Sequence, residues 1–341
     1  MIKVSDFDYY LPEKLIAQTP LSKRDESKLL VYNRKTDSVT HSVFKDLLSF
    51  LDENCVLVFN NTKVLPARIF GHRANKEENV EFLLLKEIDN DIWECMVKPG
   101  KKVKVGSEFY FGDSLKASVV NITEDGLRHV KFLYEGIFLE LLEKIGSKPL
   151  PPYIHEKLED NDRYQTVYAE IPGSAAAPTA GLHFTEELLR KIKERGVITE
   201  NITLNVGLGT FKPVSEEYIE NHKMHQEFYE ISEEVANRLN KYKAEGKKII
   251  AVGTTTVRTL ESASNSDNTI SAKSENTDIF ITPDYKFKFV DGLITNFHLP
   301  KSTLLMLISA FVSRERILEI YDIAVQNEYR FFSFGDAMLI L

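Results

Sequence analysis

The stretch Lys247-Lys-Ile-Ile-Ala-Val-Gly-Thr-Thr-Thr-Val-Arg-Thr-Leu-Glu-Ser262 changes character at its glycine. The residues before Gly253 read as a buried strand, and those after it open a helix. A strand that turns through glycine into a helix is the alternation of an α/β fold. A helix N-terminus beside Thr254, Thr255 and Thr256 suits an anion or a carboxylate, and Arg258 could clamp it. Simple helix capping is the other reading of the same residues. No Gly-Lys-Ser/Thr follows, so the turn is not a phosphate loop of that kind.

On the C-terminal side, residues 264–277 are polar and lack a core-forming pattern, which predicts a mobile loop. Asp278-Ile-Phe-Ile-Thr-Pro predicts a strand. Asn296 and His298 then precede an almost wholly apolar helix ending at Val312, which belongs in the middle of the fold. His298 therefore reads either as a satisfied core histidine or as a site residue.

On the N-terminal side, Ser232 caps a helix that Gly246 ends. Before it, His222-Lys-Met-His225-Gln-Glu227 is the densest group of titratable side chains. It reads as polar side chains on the surface, as acid/base machinery, or, with no third ligand at an obvious spacing, least readily as a metal site. Ile202-Thr-Leu-Asn-Val predicts a strand running into Gly207, Gly209 and Thr210, where glycines suit close backbone approach to a ligand. The third glycine of a dinucleotide fingerprint is missing.

The central stretch runs from Tyr164 and Thr166 through Ser174, Thr179 and Gly181 to His183. Between Ile171 and Phe184 it carries no charge apart from His183, and Pro172 and Pro178 exclude regular structure. Thr185 then caps a helix that Gly196 stops. So bare a loop is either a binding edge or a tightly packed structural segment. Residues 1–66 mix short strands and helices, with Asn60-Asn-Thr-Lys following a buried strand. Residues 67–149 instead predict short strands at 80–85, 92–97, 103–111, 115–122 and 130–134, a small all-β sandwich or barrel. Residues 150–341 resume the α/β pattern. Lys98, Lys101, Lys102 and Lys104 are placed in one hairpin, as a solvated edge or as phosphate contacts.

The chain has 341 residues, 43% of them apolar, and a formal net charge of −8. This permits two domains or one large one and argues against a protein that coats nucleic acid through bulk charge. Cys55 and Cys95 form no close pair and read as buried thiols. No secretory signal is visible, and the apolar run at 304–312 is far short of the ~20 residues a membrane span needs. A soluble cytoplasmic protein without membrane contact is expected.

Several motifs together resemble the S-adenosylmethionine:tRNA ribosyltransferase-isomerase (QueA) family of queuosine biosynthesis. They are Asp6-Phe-Asp-Tyr-Tyr-Leu-Pro, Arg24-Asp-Glu-Ser-Lys-Leu, Asn61-Thr-Lys-Val-Leu-Pro-Ala-Arg, Tyr164-Gln-Thr-Val-Tyr-Ala, Ala176-Ala-Pro-Thr-Ala-Gly-Leu-His-Phe, Met224-His-x-Glu and Tyr329-Arg-Phe-Phe-Ser-Phe-Gly-Asp-Ala-Met. They stand in family order along almost the whole chain. One departure is Asn205, where the family commonly has histidine; direct chemistry by that side chain is therefore not expected. The resemblance implies a large α/β barrel-like domain (residues 1–66 and 150–341) with a small β-barrel inserted at 67–149.

The resemblance also implies a reaction. S-adenosylmethionine, a consumed co-substrate rather than a bound cofactor, gives its ribosyl group to 7-aminomethyl-7-deazaguanine at the wobble position of tRNA with a GUN anticodon. Epoxyqueuosine-tRNA, adenine and methionine result. Such chemistry needs a positioned base and a dry site, but no metal and no thiol. His183, His225, Glu227 and His298 are the candidate catalytic groups. Tyr164, Thr166, Ser174, Thr179, Gly181, Gly207, Gly209, Thr210, Thr254, Thr255, Arg258 and Asn296 are the candidate substrate contacts. Arg68, Lys98, Lys101, Lys102 and Lys104 are the candidate RNA contacts, and a monomer gripping the anticodon arm is expected. An enzyme on free nucleosides or sugars, or a non-catalytic tRNA-binding protein of the same fold, are the other classes.

Overall fold

The first 60 residues supply three strands: β1 (Lys28–Asn33), β2 (Ser38–Val43) and β3 (Cys55–Asn60), the last buried along its whole length. After β4 (Thr62–Val64) come β5 (Arg68–Gly71), β6 (Val80–Asp89), β7 (Ile92–Lys98), β8 (Glu108–Phe111), β9 (Leu115–Ile122), β10 (Arg128–Tyr134) and helix α1 (Phe138–Ile145). The chain continues with β11 (Ile171–Ser174), α2 (Glu186–Glu194), β12 (Ile198–Leu204), β13 (Glu227–Ile231), α3 (Glu233–Ala244), β14 (Lys248–Val252) and α4 (Thr254–Ala263). It ends with β15 (Lys273–Thr277), β16 (Gly292–Asn296), α5 (Thr303–Ser309), α6 (Arg314–Gln326) and β17 (Ala337–Ile340). This computed structural model describes residues 1–341 apart from 75, 77, 157, 159 and 208–213.

Contacts divide the chain into two units. The larger comprises Met1–Thr62, Pro152–Ile171 and Pro178–Leu341; the smaller comprises Lys63–Pro151 and Pro172–Ala177. The larger unit holds a sheet of order β15-β13-β12-β3-β14-β16-β17-β1-β2. β12, β3, β14 and β16 are parallel neighbours. Their C-terminal residues Leu204, Asn60, Val252 and Asn296 therefore share one edge. β17 runs antiparallel to β16 and parallel to β1, which brings the residues preceding both to that edge. Leu57 and Phe59 face a core with Phe184, Leu188 and Ile192 from α2 and its approach. Val56 and Val58 alternate to the other face, and α3 and α4 pack on the sheet.

The smaller unit is an antiparallel sheet of order β5-β6-β7-β10-β9-β8. It nearly closes on itself where His72 and Tyr110 exchange backbone hydrogen bonds of 3.1 and 2.9 Å, which shortens the exposed edges. Phe82, Phe109, Phe111 and Phe132 fill it. A Cβ at Gly71 would lie 2.5 Å from the Phe111 ring, so glycine is required there. Trp93, the sole tryptophan, packs on Phe138 with ring centroids 5.6 Å apart. The mixed α/β class with an inserted, nearly closed all-β sheet is the architecture anticipated above.

Four local expectations are corrected. The strand expected at 103–111 begins at Glu108, because Gly106 takes φ +82° and breaks the run. The lysines from Lys98 to Lys104 do not form a hairpin: they connect β7 and β8, which are not neighbours in the sheet. The segment 264–277 is not all loop. Lys273–Thr277 is β15, antiparallel to β13 at the end of the sheet order. Only Thr277 of it is buried, so no apolar period marks it. Asp278 to Thr282 is not a strand, although Ile281 is buried.

Candidate active site

Strand C-termini and a helix N-terminus meet at the shared edge of the larger unit, as they do at ligand sites of open α/β sheets. Asn60 ties two of these strands together. Its Nδ2 donates to Leu204 O (2.9 Å) and to Thr255 Oγ1 (3.3 Å), while its Oδ1 accepts from Leu204 N (3.0 Å). Thr62 Oγ1 donates to Asn205 Oδ1 at 3.0 Å, so Asn205 serves as a fixed polar acceptor at the position where histidine is common. Gly253 opens α4 with φ +91°, a conformation that glycine adopts without strain. The three threonines after it differ. Thr255 accepts from Asn60, and Thr256 donates back to Val252 O at 2.8 Å and is not available to a ligand. Thr254 is buried at the first helical position.

Glu227 and Arg258 form a fully buried ion pair across 31 residues of sequence. Glu227 begins β13 and Arg258 lies in α4. Glu227 Oε1 also accepts from Gly207 N at 3.0 Å, and Arg258 Nε reaches Ile279 O at 3.4 Å. Arg258 Nη2 is buried with no partner among the described residues. An unsatisfied N–H on a buried cation is costly unless a ligand accepts from it.

The central loop packs against this edge. Gly181 is pressed so closely against Tyr168 that a Cβ would lie 1.9 Å from the Tyr168 hydroxyl and 2.8 Å from Thr166 Cγ2. That hydroxyl and Thr166 Oγ1 are both buried without a partner among the described residues. Tyr168, whose ring packs edge-on against Phe59, is a candidate for this edge that was not singled out from the sequence; its signal lay in the Tyr-Gln-Thr-Val-Tyr motif.

His183 is buried and stacked on Phe44. Asn296 Nδ2 donates to Phe332 O (2.9 Å) and toward His183 Nε2 (3.3 Å). That makes Nε2 the acceptor, so Nδ1 carries the proton and donates to Ser27 Oγ at 2.8 Å. Burial, reinforced by the charge of Arg24, pushes the imidazole down to about 3, so the ring is neutral at pH 7. Asn296 Oδ1 is a buried acceptor without a partner among the described residues. His298 is also pushed down to about 3 by burial. Its Nε2 bonds Thr295 Oγ1 at 2.9 Å, its backbone N–H donates to Tyr321, and its carbonyl accepts from Tyr9. These are the surroundings of a satisfied core histidine.

The remaining expected residues are scattered. His225 is exposed ahead of β13, and no helix puts it on a face with His222, which instead meets Glu216 at 3.1 Å. Tyr164 is buried against Phe334, and Thr179 opens the turn Thr179–His183. Ser174 belongs to the smaller unit, where its hydroxyl donates to Ala176 O. Gly209 and Thr210 lie outside the described residues. In the smaller unit Arg68 pairs with Glu81 and Lys102 with Glu78, whereas Lys98, Lys101 and Lys104 are exposed. Cys55 and Cys95 are buried and unpaired, as expected. Among the described residues no three His, Cys, Asp or Glu side chains converge on a metal position, and no helix is long and apolar enough to cross a membrane.

A family model described as "Queuosine biosynthesis protein" matches residues 4–340. The chain belongs to this family. Two relatives from the family's chemistry support the assignment across the full length. The S-adenosylmethionine:tRNA ribosyltransferase-isomerase of Thermoanaerobacter sp. is 56% identical over 341 residues, covering 100% of both chains. The protein of the same name from Clostridium kluyveri is 56% identical over 340 residues, covering 99% of this chain and 100% of its own. The crystal structure of S-adenosylmethionine tRNA ribosyltransferase from Thermotoga maritima is similar with a TM-score of 0.56 and 38% identity, over 99% of this chain and 100% of that one. The resemblance read from the motifs is thus the family that the whole chain matches.

Proposed function

We propose that this chain transfers and isomerises the ribosyl group of S-adenosylmethionine onto 7-aminomethyl-7-deazaguanine at the wobble position of tRNA, leaving epoxyqueuosine-tRNA and releasing adenine and methionine. The observation that carries this reading is full-length identity of 56% to ribosyltransferase-isomerases. The edge of the larger unit supports it physically. Arg258 Nη2, the Tyr168 and Thr166 hydroxyls and Asn296 Oδ1 are buried polar atoms without a partner among the described residues, and a bound substrate would supply partners to them.

The reaction begins when a base removes a proton that the sulfonium has acidified, and it ends with adenine and methionine as leaving groups. Glu227 holds a carboxylate beside Arg258 and Gly207, placed to steady positive charge or to accept a proton. His183, neutral and held in one tautomer, orients rather than donates. His225 is the exposed titratable partner for proton exchange with water. The substrate tRNA carries a GUN anticodon and is gripped at its anticodon arm, with Arg68, Lys98, Lys101, Lys102 and Lys104 as phosphate contacts. The enzyme works as a cytoplasmic monomer with no resident cofactor.

The test is mass spectrometry of an anticodon stem-loop bearing the 7-aminomethyl-7-deazaguanine base after incubation with S-adenosylmethionine. A mass gain of one epoxycyclopentanediol group, with adenine and methionine released, is expected. Adenine release without RNA gain would point to a nucleoside-cleaving enzyme, and binding without turnover to a non-catalytic tRNA-binding protein. Full single-turnover rates in both His225→Ala and Glu227→Ala would remove these two residues from proton transfer.

A further inference from the structure

Beside His183 the larger unit contains a cleft lined by Arg24, Ser27, Arg163, His183, Ser333 and Gly335. Three separate motifs, around Arg24, His183 and Phe334, meet there, and the reaction as derived above uses only the histidine. Arg24 donates to the carbonyls of Gln165 (2.8 Å), Asp162 (2.9 Å) and Leu182 (3.4 Å). Arg163 donates to the carbonyls of Leu21 (2.5 Å) and Ser22 (3.1 Å). Arg330 is anchored to the Thr19 carbonyl, next to the cleft wall at Pro20.

Carbonyl acceptors satisfy N–H groups but do not cancel charge. Among the described residues none of these guanidiniums has a carboxylate in ion-pair contact. Asp160 and Asp162 act on Arg24 only through the field, and so does Asp336 on Arg330. Asp336 accepts instead from the backbone N–H groups of Lys28 (2.8 Å) and Arg330 (2.7 Å). Arg24 and Arg163 repel each other, and the neutral His183 offers no compensation. Arg163 Nε and Arg330 Nη1 are buried without a partner among the described residues. Elsewhere in the unit, Arg258 and Arg238 each have a buried glutamate.

We propose that this cleft is an oxyanion site that takes a phosphate or carboxylate group of a substrate. A guanidinium presents paired donors that match either group, and Ser27 and Ser333 add hydroxyls at the wall. Resting on the functional reading above, the two sources are a backbone phosphate of the RNA and the carboxylate of S-adenosylmethionine.

The experiment compares wild type with Arg163→Gln and with Leu21→Glu, which plants a carboxylate at the cleft. Affinities for S-adenosylmethionine and for the anticodon stem-loop are measured by titration, the latter against salt. If the anion is an RNA phosphate, Arg163→Gln weakens stem-loop binding about ten- to a hundredfold and reduces the salt slope by about 1, leaving S-adenosylmethionine binding unchanged. If it is the methionyl carboxylate, S-adenosylmethionine binding weakens by a similar factor and the salt slope is unchanged. Leu21→Glu reproduces whichever loss occurs, and it decides the matter should Arg163→Gln fail to fold. A third arm is independent of the reaction. Inorganic phosphate raises the melting temperature of wild type more than that of either variant at matched ionic strength. Folded variants with both affinities within about twofold of wild type and an unchanged phosphate response overturn the oxyanion site. Product formation by wild type in parallel tests the functional reading separately.

Discussion

Along one edge of the large sheet, two buried groups solve opposite problems. At the β13 end Glu227 is kept beside the Arg258 guanidinium, and it also accepts from the Gly207 backbone N–H. At the β16 end His183 is surrounded by neutral donors and acceptors, with burial and the field of Arg24 holding its proton affinity down. A buried ion pair depends on both members, because each is costly alone. A buried neutral imidazole depends only on remaining neutral. The first region is therefore vulnerable to substitution and the second to acid, although both lie on the same scaffold.

The largest expected effect comes from breaking the pair on one side. Arg258→Met removes the guanidinium that faces buried Glu227 and should cost about 3–5 kcal/mol in urea unfolding. Combining it with Glu227→Gln should restore most of that loss. A double variant no more stable than the single one would show that the pair's environment, not its charge, holds the region.

Acid attacks the other end. An unfolded histidine takes up a proton near 6.5, whereas folded His183 and His298 do so only near 3. The unfolded chain thus binds more protons between those values. Stability is full above pH 6.5 and falls as the pH drops toward 3, by about 1.4 kcal/mol per pH unit for each imidazole. In unfolding curves at pH 6.5, 5.5 and 4.5, His298→Asn should show a shallower fall than wild type; parallel slopes would mean that this ring is not the group being protonated.

A smaller effect is expected where the central loop meets the edge. Gly181→Ala drives a methyl into the Tyr168 hydroxyl and should cost about 1–3 kcal/mol. If Gly181→Ala/Tyr168→Phe recovers part of it, the close approach is confirmed as the cause. The smallest effect concerns the smaller unit. Lys101→Glu with Lys104→Glu should change stability by less than about 0.5 kcal/mol, as both are exposed. It should also flatten the salt dependence of stem-loop binding; an unchanged slope would place the RNA on other residues.

The strand, glycine and helix around Gly253 were legible because a buried strand and a helix start each carry a local signature. The all-β insertion was legible for the same reason, through regularly spaced turns. β15 was not, since an end strand with one buried residue has no apolar period. The Glu227–Arg258 pair joins the first residue of β13, a strand not anticipated, to the helix after Gly253, and spacing gave no reason to connect them. His222, His225 and Glu227 are close in sequence but differ in setting, because the chain is irregular there: Glu227 is buried, His222 half-buried and His225 exposed. Tyr168 looked like one more aromatic until Gly181 was seen against its hydroxyl. The carboxylate, imidazole and hydroxyls of the edge depend on long-range pairing for their meaning, and local pattern does not carry it.

Trp93 lies in β7 of the smaller unit, packed on Phe138, and the chain has no other tryptophan. Intrinsic emission excited at the indole band therefore reports on the barrel alone. The larger unit, with Glu227, Arg258 and His183, is optically silent at that wavelength. Denaturation followed by indole fluorescence would track the smaller unit while far-ultraviolet dichroism tracks the whole chain, so the protein carries its own single-site dye for telling the two units apart.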